Sequence, residues 1–356
     1  MNPVRSAALK PVEIQNTDWR LVMSDSIRDV DDLLRYCEID SPSSEFKNNP
    51  DFPLRVTRYF ASLIEKGNAS DPLLLQVLPV AKERELVPGY SRDAVGERAF
   101  LPMPGLIHKY HGRVLLTLTG ACPIHCRYCF RRHFPYNKST LDYKVDSEVI
   151  KYLSHNKEIR EVILSGGDPL MLSDQKLSKL IANLSRVPHV RILRIHSRLL
   201  SVLPQRVTDA FITTLEQFRG KIIFVTHINH PNEITDFNRA AFRKLALRGI
   251  KLLNQSVLLK QVNDNTQTLV NLSYKLMQGD IIPYYLHRLD KVEGAAHFDL
   301  PGAQCRSLYR ELRSRLPGYL LPEMVQEIPG RASKTRCAES EPGDLEAHMG
   351  KERQLG

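Results

Sequence analysis

Six short apolar runs recur between residues 113 and 285: Arg113–Thr119, Glu161–Leu164, Val190–Ile195, Lys221–Thr226, Ile250–Leu253 and Ile281–Tyr285. Each is rich in β-branched residues, and stretches with helical periodicity separate most of them. Ser173-Asp-Gln-Lys-Leu-Ser-Lys-Leu-Ile-Ala-Asn-Leu is one such stretch: Ser173 suits the N-cap, and Leu177, Leu180, Ile181 and Leu184 form one stripe. Another runs from Glu233 to Arg248, with Gly249 at its stop. Strand–helix alternation at this length predicts an α/β fold with a parallel sheet. No GxGxxG follows the first strand, which argues against a dinucleotide fold. Polar residues cluster after each strand, where βα barrels keep their sites. Six units fall two short of a full barrel.

The loop after the first strand, Thr119-Gly-Ala-Cys-Pro-Ile-His-Cys-Arg-Tyr-Cys-Phe-Arg-Arg, carries Cys122, Cys126 and Cys129 spaced C-x3-C-x2-C. Three thiolates on one loop can hold three corners of a four-iron cubane. That leaves one iron open, as catalytic metal sites do. A zinc site or disulfide cluster is the competing reading. Structural zinc takes four ligands, usually as separated C-x2-C pairs, and His125 lies awkwardly between two cysteines.

This spacing resembles that of the radical S-adenosylmethionine (SAM) enzymes, whose core is a partial (β/α)6 barrel. There the open iron chelates SAM, and an electron from the cluster releases a 5′-deoxyadenosyl radical. Ser165-Gly-Gly-Asp-Pro-Leu resembles their SAM-binding turn, which implies Gly166, Gly167 and Asp168 as SAM ligands, with His227 joining them.

The loops together resemble one family, the lysine 2,3-aminomutases. The matching blocks are Gln76-Val-Leu-Pro, Val87-Pro-Gly-Tyr-Ser, His108-Lys-Tyr, Cys126-Arg-Tyr-Cys-Phe-Arg-Arg and Leu203-Pro-Gln-Arg. They continue with Thr226-His-Ile-Asn-His-Pro-Asn-Glu, Asn254-Gln-Ser-Val-Leu-Leu and Val262-Asn-Asp. The resemblance implies pyridoxal 5′-phosphate (PLP) held as a Schiff base by Lys334, in Ile328-Pro-Gly-Arg-Ala-Ser-Lys-Thr. It implies Arg113, Gln255 and Lys109 at the PLP phosphate; Lys109 stands where the family commonly has arginine. It implies Arg131 at the substrate carboxylate, and Asp290 with Glu327 at the distal ammonium of L-lysine. The implied reaction moves the amino group from C2 to C3, giving β-lysine. The same chemistry on arginine, or a non-enzymatic iron–sulfur or zinc module, are the alternatives.

The chain stops soon after Lys334, without the zinc-binding cysteine segment of the clostridial type. This short form resembles the bacterial branch that makes (R)-β-lysine for elongation factor P. Cys37, Cys305 and Cys337 are not expected to be ligands. The resemblance also implies a one-electron donor such as flavodoxin or ferredoxin, and leaves a homo-oligomer open.

The organisation expected is an N-terminal helical extension over 1–95, a partial barrel over 96–315, and a C-terminal segment over 316–356. The first part holds amphipathic helices at Ser26–Tyr36 and Leu54–Glu65; the tail from Glu339 reads as disordered. The hydrophobic fraction of 42% and charged fraction of 25% permit a sizeable core. The net charge of +10 comes from scattered basic residues without a long run, so no nucleic-acid partner is expected. The start lacks an apolar h-region, and no run is long enough to span a bilayer. A cytoplasmic protein with no membrane partner is expected, in keeping with a reducible thiolate cluster.

Overall fold

The apolar runs become strands of one sheet in the computed structural model, which describes residues 18–40, 46, 49–140 and 146–337. The strands are β1 (Leu106–Tyr110), β2 (Arg113–Thr117), β3 (Glu161–Ser165), β4 (Ile192–Ser197), β5 (Lys221–Thr226), β6 (Lys251–Val257), β7 (Ile281–His287), β8 (Glu323–Gln326) and β9 (Thr335–Arg336). They lie side by side in chain order. Strands β2 through β8 run parallel, and β1 and β9 pair antiparallel at the two ends. The six expected strands are all present. The additional parallel strand β8 escaped the sequence reading because Glu-Met-Val-Gln is too short to show a period.

Six helices follow strands β2 to β7 in turn: α1 (Asp146–His155), α2 (Asp174–Leu184), α3 (Asp209–Glu216), α4 (Asp236–Ala246), α5 (Thr266–Gln278) and α6 (Gly302–Arg315). Their caps are local and legible. The Ser173 side chain accepts from the Lys176 N–H and starts α2. Helix α4 begins three residues later than Glu233, because Pro231–Glu233 forms a 3-10 turn and Thr235 is the cap. Its stop is Gly249, at a φ of +73°.

Alternate strand residues face the helices. Val114, Leu116, Val162, Leu164, Leu193, Ile195, Phe224 and Leu252 are buried in one core with Leu177, Leu180, Ile181 and Leu184 of α2 and Phe242 of α4. The opposite face mixes apolar residues, such as Ile163 and Val225, with charged ones. Arg113 lies in register with Glu161, Glu161 pairs with Arg194 at 3.0 Å, and His196 follows two residues on. A sheet with charges on its inner face encloses a site rather than a packed core.

The sheet is rolled but not closed. Laid flat, β1 and β8 would stand seven strand spacings apart, about 34 Å. Yet Lys109 Nζ of β1 reaches Glu327 Oε1, just past β8, at 2.5 Å, and the Tyr110 hydroxyl donates to the same oxygen. The two edges therefore face each other across a seam tied by side chains. This is the partial barrel that the resemblance to the radical SAM enzymes implied.

The N-terminal segment packs on the same core through Trp19, Leu33 and Phe60. Its expected helices are shorter than read, Val30–Tyr36 and Arg58–Ala61, because Ile27 and Val56 pair as an antiparallel bridge. The tail from Glu339 lies outside the described residues. Among the described residues no helix is long and apolar enough to cross a membrane.

The connection before β1 buries Glu83 between two arginines. Its carboxylate accepts from Arg127 Nε at 2.7 Å and Arg132 Nη2 at 2.6 Å. Side chains of all three are at most 1% exposed. Removing one partner of a buried ion network leaves uncompensated charge and costs about 3–5 kcal/mol. Glu83→Ala should lose stability of that order, read as a lower urea midpoint with an unchanged m-value.

Candidate active site

The loops after β2 and β3 are held together backbone to backbone. Gly167 N–H donates to the Thr119 carbonyl at 2.6 Å, and Asp168 N–H to the Ala121 carbonyl at 2.8 Å. The two glycines are required by this approach. A Cβ at Gly166 would stand 2.6 Å from the Thr119 carbonyl oxygen, and one at Gly167 2.4 Å from that of Ala121. Gly166 also sits at a φ of +132°. The Gly-Gly turn therefore seats the cysteine loop.

Asp168 ties this pair to the loop after β4. Its buried carboxylate accepts from Ser197 Oγ at 2.8 Å, and from the N–H groups of Leu170, Arg198 and Leu199 at 3.0, 3.0 and 3.2 Å. Burial raises its pKa to about 6 against those hydrogen bonds. Its oxygens are thus engaged by loop backbone, which sets the loops' relative positions.

Cys122, Cys126 and Cys129 are free thiols, partly exposed, on the loop that follows β2. Burial raises the Cys129 pKa to about 11, with the charge of Cys126 adding to the rise; Cys122 is raised by burial, then by Cys129. The sulfurs therefore lie within electrostatic reach of one another. Among the described residues no three His, Cys, Asp or Glu side chains could hold a single metal ion. Three soft donors on one loop, with Cys129 N–H closing a turn onto the Cys126 carbonyl at 3.0 Å, suit a polynuclear iron–sulfur group with one sulfur per iron. A dense polar network backs them. Tyr128 Oη meets His227 Nε2 at 2.9 Å and Asn229 Nδ2 at 2.7 Å. The Tyr128 and His227 rings stack at 5.6 Å. His230 accepts from the Asn232 N–H at 3.2 Å.

A second group of charges lines the chamber beside the seam. Arg131 is buried, and its fork grips Glu97 with Nε at 2.8 Å and Nη2 at 2.6 Å; Nη1 reaches Ser165 Oγ at 2.9 Å. Glu327 binds Lys109, Tyr110 and, at 2.8 Å, Lys334 Nζ. Burial opposes its ionisation, but these partners outweigh burial and hold its pKa near 2. Lys109 also donates to the Val95 carbonyl at 2.8 Å. The guanidinium of Arg113 lies over the Tyr110 ring at 4.5 Å, on the same seam. Gln255 stands on β6 in register with Tyr285 of β7.

Asp290 follows β7 and is partly exposed at its rim. Burial raises its pKa to about 7, with Lys334 pulling down and Glu327 and Glu97 pushing up. Its Oδ1 is buried and has no hydrogen-bond partner, as is Nε2 of His196. The His196 pKa is driven down by burial and then by the charges of Arg194, Lys334 and Arg131. Lys334, Glu327, Asp290, Glu97 and Arg131 thus share one enclosure. Orphaned polar atoms there mark room for a polar ligand.

Residues 116–272 match the Radical SAM superfamily. The L-lysine 2,3-aminomutase of Escherichia coli (strain K12) is 45% identical over 321 residues, covering 89% of this chain and 94% of that protein. That of Haemophilus influenzae is 44% identical over 334 residues, covering 93% and 98%. The Clostridium subterminale enzyme is 36% identical, covering 89% of this chain and 77% of its own length. The chain belongs to the lysine 2,3-aminomutase family. It is an isomerase family within the radical SAM enzymes, and membership implies a [4Fe–4S] cluster and SAM as cofactors.

Arg131 and Arg132 are both buried. Lys109 is engaged with Glu327 rather than facing an open anion site, because the seam brings their strands together. Sequence reasoning missed Glu83 and Glu97. Both lie in the Pro-rich connection 72–104, where an isolated acid carries no periodic signal. The apt clue was excess: buried arginines in the cysteine loop need carboxylates from elsewhere.

The raised pKa of Asp290 has a stability consequence. The folded protein holds a proton on Asp290 that the unfolded chain releases near pH 4. Folding stability therefore falls as pH rises from about 4 to 7, and the loss is complete above 7. Asp290→Asn lacks this slope. In melts at several pH values, the variant should gain about 2 kcal/mol on wild type between pH 5 and 8. A constant difference would contradict the buried, unpaired carboxylate.

Proposed function

We propose that this protein converts L-lysine to β-lysine by 2,3-amino migration, using PLP bound through Lys334 beside the cluster and SAM. One observation carries the substrate assignment. Inside the rolled sheet the protein's own charges are paired as the two ends of a lysine molecule would pair them. A carboxylate, Glu97, fills the fork of Arg131. A lysine ammonium, Lys334, sits on Glu327 beside the unpaired oxygen of Asp290. A free amino acid with a carboxylate at one end and an ammonium at the other matches both poles. Glutamate would place a second carboxylate against Asp290 and Glu327 and is repelled.

The bound PLP would supply a π-system that delocalises the unpaired electron during the migration. The chain's own residues do the rest. Lys334 supplies the amine that anchors the cofactor. When that amine is committed, Glu327 loses one partner and can accept a substrate ammonium. Arg113, with Lys109 and Gln255, supplies phosphate donors near the seam; Arg113 is a fork and Lys109 a point charge. Arg131 fixes the substrate carboxylate once Glu97 gives way. The Gly166-Gly167 turn, with Asp168 behind it and His227 alongside, shapes the SAM side. Enclosure keeps water from reactive radicals. The electron comes from a low-potential carrier such as flavodoxin or ferredoxin. The near full-length match to the short bacterial enzymes supports a product of R configuration, made for elongation factor P in the cytoplasm.

The test is anaerobic incubation with SAM, PLP, dithionite and amino acid, followed by chromatography. Lysine should give β-lysine, while arginine and glutamate in parallel should not. Lys334→Ala should give background product yet retain iron and sulfide. Undiminished turnover by that variant would remove the anchoring role of Lys334; turnover of arginine instead would move the substrate.

A further inference from the structure

We propose that Arg198 raises the reduction potential of the cluster by donating a hydrogen bond to the sulfur of Cys126. The proposal rests on the reading of Cys122, Cys126 and Cys129 as the cluster ligands. Arg198 Nη1 lies 2.7 Å from Cys126 Sγ and 2.5 Å from Tyr128 Oη. Its Nη2 donates to Gln76 Oε1 at 2.7 Å and Glu233 Oε2 at 3.2 Å. Its own N–H is held by Asp168 Oδ2 at 3.0 Å. The residue is 7% exposed, and Glu233 is fully buried.

This guanidinium cannot swing away. Its contacts come from the cysteine loop, the connection before β1, and the loops after β3 and β5. The hydroxyl of Tyr128 is itself fixed by Asn229 and His227. A guanidinium is not deprotonated in proteins, so the charge of Arg198 is fixed. Arg198 is therefore a permanent cation facing one ligand sulfur.

The sign of its effect follows from charge. Reduction adds one electron, here from dithionite, and no proton to a site already carrying three thiolates. A fixed cation at hydrogen-bond distance favours the more negative state, and hydrogen bonds to cluster sulfurs do the same. Glu233 opposes this, but it binds the Nη2 side, away from the sulfur. Opposite charges at unequal distances leave a net positive field at Cys126.

The test is a redox titration of anaerobically reconstituted holoprotein, followed by electron paramagnetic resonance of the reduced cluster. Arg198→Met should lower the midpoint so that, at a fixed potential, the reduced-to-oxidised ratio drops about tenfold, a shift of about 59 mV for one electron. Arg198→Lys keeps the charge but cannot bridge Cys126 and Glu233 together, and should fall between. Unchanged midpoints in both variants at wild-type iron content would overturn the proposal. If Arg198→Met fails to retain iron, Arg198→Lys decides: an unshifted midpoint overturns it. Wild-type protein that assembles no iron and sulfide would instead sink the reading of the cysteines.

Discussion

A carboxylate taken out of water costs several kcal/mol unless cations meet it, and this chain buries Glu83, Glu97, Glu233 and Glu327 against arginines and lysines. Each pair joins segments far apart in sequence. Glu83 joins the pre-barrel connection to the cysteine loop; Glu233 joins the loop after β5 to the loop after β4 and, through Gln76, to the same connection. Glu327 joins both edges of the rolled sheet. Apolar burial builds the outer layer between strands and helices without choosing among nearby registers of the loops. The ion pairs do choose, because a slipped loop would leave a buried charge bare.

The same economy explains the charges on the inner face. Parallel strands covered on both faces usually read as continuous apolar runs. Here the inner positions also carry Arg113, Glu161, Arg194 and His196, with Glu161 and Arg194 paired to each other. The interior is therefore partly charged, and its two edges are tied at the seam by Lys109 and Glu327.

Much of this was legible in the chain. Strand positions followed from β-branched runs, and the α2 stripe with its Ser173 cap followed from spacing, since both depend on neighbours within a few residues. The cysteine triplet and the Gly-Gly turn were legible as motifs because their chemistry is compressed into short loops. Other features were not. The β8 strand holds four residues and borrows its stability from β7. Glu97 meets Arg131 across 34 positions, and Arg198 meets Cys126 across 72. No local pattern encodes such meetings; only the rolled sheet brings them about. The helices near residues 27 and 56 were overdrawn for the same reason: a long-range bridge there outcompetes local helical preference.

The pairing scheme also bears on how a zwitterionic substrate enters a nearly neutralised chamber. On the proposed reading, the incoming carboxylate takes the fork of Arg131 as Glu97 leaves it, and the incoming ammonium takes the position on Glu327 that Lys334 holds here. Each arrival replaces a group of like charge. The chamber's net charge is then nearly conserved, so binding need not meet the full cost of burying two new ions. What remains is the displacement of Glu97, on a 3-10 turn that follows Gly96 in left-handed conformation and caps onto Asp93. Selectivity then lies less in attraction than in whether a ligand presents both charges at once, since one that offers only a single pole would leave either Arg131 or Glu327 holding its internal partner.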